Sequence, residues 1–177
     1  QLKPLAQPTV MMHPHDASVE LKNVRFSYDG KKNAINNISL YIEPGQTVAF
    51  VGPSGGGKST LASLVSRFFD VDSGSISIGG VNVKNISKEE LMQTVSFVFQ
   101  NSKLIKASIL ENVRMGKPDA GREEIMAALK TAQCTDIIEK FPEGADTIIG
   151  TGGVYLSGGE QQRIAIARAV LKNAPVI

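Results

Sequence analysis

Apolar and polar positions begin to alternate at Ser18: Val19 and Leu21, then Phe26 and Tyr28, with Lys22-Asn23 reading as a bulge before an Asp29-Gly30 turn. Ile38, Leu40 and Ile42 alternate with Ser39, Tyr41 and Glu43 in a second strand, closed by Pro44-Gly45. The period then changes. Thr47 to Val51 (TVAFV) is a nearly continuous apolar run, which predicts a strand buried on both faces of a parallel sheet. Past a glycine-rich loop, Leu61, Leu64, Val65, Phe68 and Phe69 recur at helical spacing, one stripe of an amphipathic helix that Asp72-Ser73-Gly74 ends. Ile76 and Ile78 face Val81 and Val83 across Gly79-Gly80, a tight hairpin. Ser87 with Glu90, Ser108 with Glu111 and Ser157 with Glu160 have capping-box spacing. Val95 to Phe99 (VSFVF) predicts another buried strand, and Ile125, Ala128, Leu129 and Ala132 make a helical stripe in a mostly helical remainder closed by Asn173 and Pro175. Strands first, then βα elements, then a helical block predict an α/β fold with attached subdomains.

Composition changes this picture little. The chain has 177 residues, 42% hydrophobic and 20% charged, an ordinary globular profile. Its single cysteine, Cys134, forms no internal disulfide and reads as a buried small hydrophobe in a reducing compartment. No window reaches 18 consecutive apolar residues and no signal-peptide profile opens the chain, so a membrane role requires a partner segment. A net charge of +2 without a basic run gives no ground for expecting nucleic acid as a partner. Residues 1–17, with Pro4, Pro8 and Pro14, read as an extended solvated linker; His13 and His15 lack ligands at metal spacing.

Gly52 to Thr60 read GPSGGGKST, a match to G-x-x-x-x-G-K-[ST] between a predicted strand and a predicted helix, the context that a phosphate-binding P-loop requires. A polyphosphate needs several donors at close range. Gly55, Gly56 and Gly57 let backbone N–H groups approach without Cβ atoms in the way, and the helix starting near Lys58 aims its free N–H groups and positive dipole end at the same point. Lys58 suits the β/γ oxygens as a point charge, and the Ser59 hydroxyl suits Mg²⁺.

Leu156 to Glu160 read LSGGE and continue as QQRIAIARA, which resembles the signature sequence of the ATP-binding-cassette (ABC) ATPases. The other landmarks fall in that family's order: Tyr28 where an aromatic stacks on adenine, Gln100 directly after VSFVF, then SILENV, and FPEGADT at Phe141 to Thr147. The likeness covers roughly residues 18–177. Tyr28 suits a core or surface aromatic as well, and Gln100 suits a plain loop amide; position favours the functional reading of both. Capping alone accounts for Ser157 and Glu160, but not for Gly158 and Gly159, which are poor helix formers.

The resemblance implies a P-loop NTPase (RecA-like) core with an antiparallel β subdomain and an α-helical signature subdomain at about 102–170. It implies ATP and Mg²⁺ as cofactors. Gly52, Ser54, Gly55, Gly56, Gly57, Lys58, Ser59 and Thr60 would hold the phosphates, with Ser59 and Gln100 at the metal. Ser157, Gly158, Gly159 and Glu160 would meet, in trans, the γ-phosphate of ATP on a second ABC domain in a head-to-tail homo- or heterodimer. SILENV and FPEGADT look most like exporter-type transporters with a fused membrane domain, which implies entry from that domain through residues 1–17 and a place on the cytoplasmic face of a membrane. Two positions depart from the pattern: Thr151 stands where an acid is usual, and Glu160 where glutamine is commoner. The family's Walker B aspartate and glutamate, D-loop and switch histidine do not follow Pro175-Val176-Ile177, so the chain is expected to be C-terminally incomplete and to bind nucleotide better than it hydrolyses it. A soluble ABC ATPase acting on nucleic acid or the ribosome, and a non-hydrolysing nucleotide-binding module, are the alternatives.

Overall fold

The computed structural model describes residues 5–177; Pro4, counted above in the linker, lies outside them. The described chain divides into two compact units. One runs up to Val95 and takes in Val176; the other comprises Ser96–Pro175 and Ile177.

The first unit holds β1 (Val19–Phe26), β2 (Ile35–Ile42), α1 (Lys58–Val65), β3 (Ser73–Ile78), β4 (Val81–Asn82) and α2 (Lys88–Thr94). Its strands form one antiparallel sheet in the order β2-β1-β3-β4, with Leu21 of β1 opposite Leu40 on one side and Ile76 on the other. The bulge expected in β1 is present, and it decides which residues are buried. Val19 and Leu21 face the core, the register then slips by one, and Val24 and Phe26 rejoin them. Strict alternation would have turned Asn23 inward and Phe26 outward. Asn23 takes a φ of 47° and donates its N–H to Ser39 Oγ at 2.9 Å, which satisfies the group that the bulge leaves out of the ladder. Gly79 and Gly80, with φ of 53° and 77°, make the hairpin turn between β3 and β4. Leu21, Val24, Leu64, Ile76, Ile78 and Ile86 are fully buried in this core; a side chain of this size contributes about 1.5–3 kcal/mol on burial.

The helix expected to run to Phe69 ends at Val65. Arg67 adopts a left-handed backbone (φ 51°) and is buried, its guanidinium donating to Val83 O at 3.3 Å and Ala6 O at 2.7 Å while pairing with Asp70. Satisfying a buried guanidinium overrides the apolar stripe; Phe69 reaches the core from a loop, stacked on Phe26 at 5.5 Å between ring centroids.

The two buried parallel strands are corrected by the structure. Thr47–Val51 pairs with no strand among the described residues, and Val51 is 92% exposed. In the second run, Val95 makes a parallel bridge to Val176, no strand is assigned to 96–99 among the described residues, and Phe99 is exposed. An apolar run becomes a sheet strand only where neighbours complete its ladder; its pattern records a tendency to be buried and says nothing of the partner.

Residues 5–17 carry no regular structure, and their expected free solvation is corrected as well. Met12 N–H donates to Asn85 O (2.9 Å), His15 N–H donates to Gly79 O (3.1 Å), and His13 Nδ1 lies 2.9 Å from both carboxylate oxygens of Glu90. Because Glu90 is turned toward His13, the Ser87 cap is one-sided: Ser87 Oγ accepts from Glu90 N–H.

The second unit holds β5 (Ala107–Ser108), α3 (Ile109–Arg114), α4 (Arg122–Thr131), α5 (Thr135–Glu139), β6 (Ile148–Ile149) and α6 (Gly158–Lys172). Ile109, Val113, Ile125, Leu129, Ile137, Ile149 and Ile164 are fully buried together. Cys134 lies in this cluster, its Sγ 3.6 Å from Ala132 O, and burial pushes its thiol up to about 11, so it stays protonated near neutrality. Asn112 is a polar residue buried in this unit with no exposed surface. Its amide accepts from Ile105 N–H (2.9 Å) and donates to Ile105 O and Ser108 O (3.0 Å each), tying down the chain that leads into α3. Ser108 caps α3, but Glu111 turns to Arg114 and does not reciprocate. At α6 the capping box is complete, and Asn173 ends the helix in a left-handed conformation. No helix among the described residues is long and apolar enough to cross a membrane.

Candidate functional site

In the first unit the glycine loop is an exposed turn that opens α1. Gly52, Ser54, Gly55 and Gly56 face solvent, and Gly56 N–H closes the turn on Pro53 O at 3.1 Å. Gly57 caps the helix with a φ of 83°, and a Cβ there would lie 2.6 Å from Ala34 O and 2.8 Å from Ile35 Cδ1. Gly55 shares the left-handed backbone (φ 76°) but looks into open space. Gly55→Ala is therefore expected to cost about the 1–2 kcal/mol of left-handed strain, and Gly57→Ala distinctly more. Thermal melting of the two variants tests the order; equal losses would show that the clash with strand β2 is relieved at no cost.

Lys58 Nζ donates to Gly52 O (2.9 Å) and Pro53 O (2.7 Å), which holds the ammonium across the loop. No acid occupies the first turn of α1, so its positive end is unopposed by its own side chains. Ser59 is exposed. Thr60 Oγ1 meets Tyr28 Oη at 3.0 Å, and the Tyr28 ring packs edge-on against Phe26 (4.9 Å) and Phe69 (5.4 Å) while half of its surface stays exposed. Tyr28 is thus fixed beside the first turn of α1 by one hydroxyl and two rings.

In the second unit, α6 starts with bare backbone: Gly158 and Gly159 are exposed, with open space where a Cβ would stand. Ser157 donates from its Oγ and from its N–H to Glu160 Oε2, both at 2.8 Å, and Lys140 pairs with the other carboxylate oxygen. The Lys140 ammonium first, then the two Ser157 hydrogen bonds, hold the Glu160 carboxyl down at about 2 against an ordinary 4.5. A depressed carboxyl stabilises the folded form above its unfolded value, and that contribution disappears as pH falls through its folded value. Acid titration of α6 is expected to cost the wild type stability between about 4.5 and 2 relative to Glu160→Gln, read as helical circular dichroism; superposable titrations would exclude the linkage.

Gln100 is exposed and lines a cavity of about 630 Å³ in this unit with Lys103, Thr151, Tyr155, Gly158 and Gln161. Gln100 and the start of α6 are therefore brought to one cavity, whereas the glycine loop and Tyr28 belong to the first unit. Sequence reasoning missed Asn112, Tyr155 and Lys140. An amide inside the apolar ILENV helix was a usable signal for Asn112. Nothing in local pattern links Lys140 to Glu160, 20 residues on.

A family model described as ABC transporter matches residues 35–177. The chain is 46% identical over 171 residues to the ATP-dependent lipid A-core flippase of Haemophilus influenzae, covering 96% of this chain and 29% of that protein. It is 46% identical over 159 residues to the β-(1→2)glucan export ATP-binding/permease protein of Rhodopseudomonas palustris, covering 90% and 26%. Among solved structures, a bacterial Atm1-family ABC exporter with ATP bound matches with a TM-score of 0.89 at 38% identity, over 96% of this chain and 30% of that one. The chain thus spans under a third of the length of these relatives.

Proposed function

Because the chain belongs to the ABC transporter family, we propose that it is the ATP-binding segment of a longer membrane transporter in which ATP binding and hydrolysis drive a substrate across the bilayer. The observation that carries this reading is the glycine loop: no Cβ is tolerated at Gly57, the helix start behind it is free of acids, and Lys58 is held across its mouth. These donors fit a triphosphate, since each is a backbone N–H, an ammonium or a hydroxyl, and no carboxylate of the loop opposes them.

Gly52, Ser54, Gly55, Gly56, Gly57 and Thr60 surround the phosphates, Lys58 meets the β/γ oxygens, and Tyr28 stacks on adenine. Ser59 and Gln100 would hold Mg²⁺, which would supply positive charge to offset that of the phosphates. Ser157, Gly158, Gly159 and Glu160 meet the γ-phosphate on a second ABC domain, so closing and reopening of the pair follows the state of the nucleotide. A fused membrane domain chooses the cargo, and the ATP-binding segment works at the cytoplasmic face. Phosphate release by the full-length protein in proteoliposomes tests this reading. Mg²⁺-dependent turnover that chelation abolishes supports it; wild type that binds ATP without turnover refutes the motor and leaves a nucleotide-binding module.

A further inference from the structure

The start of α6 carries an apparent contradiction. It is read above as a phosphate site, yet Glu160 brings a carboxylate within its first turn. Two negative charges at one helix start repel unless a cation intervenes. We propose that Lys140 is a positioning residue of this site, neutralising Glu160 and pinning it against Ser157 so that the bare helix start keeps its attraction for a phosphate oxygen. The inference rests on the in-trans reading of Ser157 given above.

The two carboxylate oxygens divide the work. Oε2 receives the Ser157 hydroxyl and N–H, and Oε1 pairs with Lys140. The Glu160 side chain is only 13% exposed, so water would screen its charge poorly if Lys140 were removed. Arg163, a turn along the same helix, feels the Glu160 charge but spends its hydrogen bonds elsewhere: its guanidinium binds both Asp136 oxygens, at 2.7 and 2.9 Å, and also Gln133 O. Lys140 follows α5 directly and its side chain is half exposed, so removing its charge leaves the buried cluster untouched. A glutamine at position 160 could still accept from Ser157 and would need no cation. Acid at 160 and base at 140 therefore form a unit.

The test is closure of the ABC domains in the full-length protein with Mg²⁺ and ATP, read by fluorescence energy transfer between labelled domains. Lys140→Met is expected to raise the ATP concentration for half-closure about ten-fold, equivalent to about 1.4 kcal/mol, with the ATP affinity of the open form unchanged and the melting temperature lowered because Glu160 loses its partner. Lys140→Gln should do the same, and Lys140→Arg should restore closure. The double variant Lys140→Met/Glu160→Gln should return toward wild type, a rescue that a purely structural lysine would not give. Wild-type closure by Lys140→Met, or a double variant as impaired as the single one, would overturn the proposal. Ser157→Arg serves as the control: if it closes normally, the in-trans reading fails whatever Lys140 does, whereas a blocked Ser157→Arg beside an unaffected Lys140→Met sinks the Lys140 role alone.

Discussion

Lys58→Ala in the full-length protein is expected to lower ATP turnover by about 10²–10³-fold, the usual loss when one preorganised charge donor is removed from a transition state. Phosphoryl transfer asks a protein mainly for positioning and charge, and Lys58 is the single cation of the glycine loop. Its ammonium lies across the loop, donating to Gly52 O and Pro53 O. The fold should survive. Lys58 opens α1 at a half-buried position, and alanine is the best helix former. Phosphate release is the readout, with melting temperature as the control. Turnover that Lys58→Ala leaves unaffected would sink the assignment of this loop as the hydrolytic site.

Ser157→Arg is expected to abolish ATP-driven association of two ABC domains while leaving ATP binding to each separate domain intact. Ser157 sits at an exposed helix start beside two glycines with open space around them, and an arginine would fill the volume that an incoming phosphate needs. Its guanidinium would also compete with Lys140 for Glu160. Losing the cap costs about 1 kcal/mol of helix stability, and Ser157→Ala isolates that component because it removes the hydroxyl without adding bulk. Binding by equilibrium dialysis and association by light scattering separate the two outcomes. If Ser157→Arg also loses ATP binding in the separate domain, the signature is not acting in trans.

Features set by neighbouring residues were legible before any coordinates. The bulge at Lys22-Asn23, the Gly79-Gly80 turn, the capping box of Ser157 and Glu160 and the left-handed stop at Asn173 all stand where the pattern put them. Each depends on backbone sterics or on hydrogen bonds within a few positions, which spacing records directly. Two capping boxes that spacing could not tell apart from the third are half-made, because His13 draws Glu90 away and Arg114 draws Glu111. The runs at Thr47–Val51 and Val95–Phe99 failed for a different reason: apolar composition says that a segment should be buried, while strand formation needs a ladder partner that composition does not name.

By itself, then, the sequence determined the chemistry: a glycine loop with one lysine and one serine, and a second bare helix start, in the order of one family. Both are contiguous, and a contiguous stretch carries its own geometry. Only the tertiary structure decided how those pieces are held. Gly57 is required because Ala34 and Ile35 press on it, Tyr28 is set in place by Thr60, Phe26 and Phe69, and Glu160 is paired by a lysine from another helix's end. Such contacts join residues far apart in the chain, and their energies depend on burial and charge neutralisation that exist only once the chain has folded.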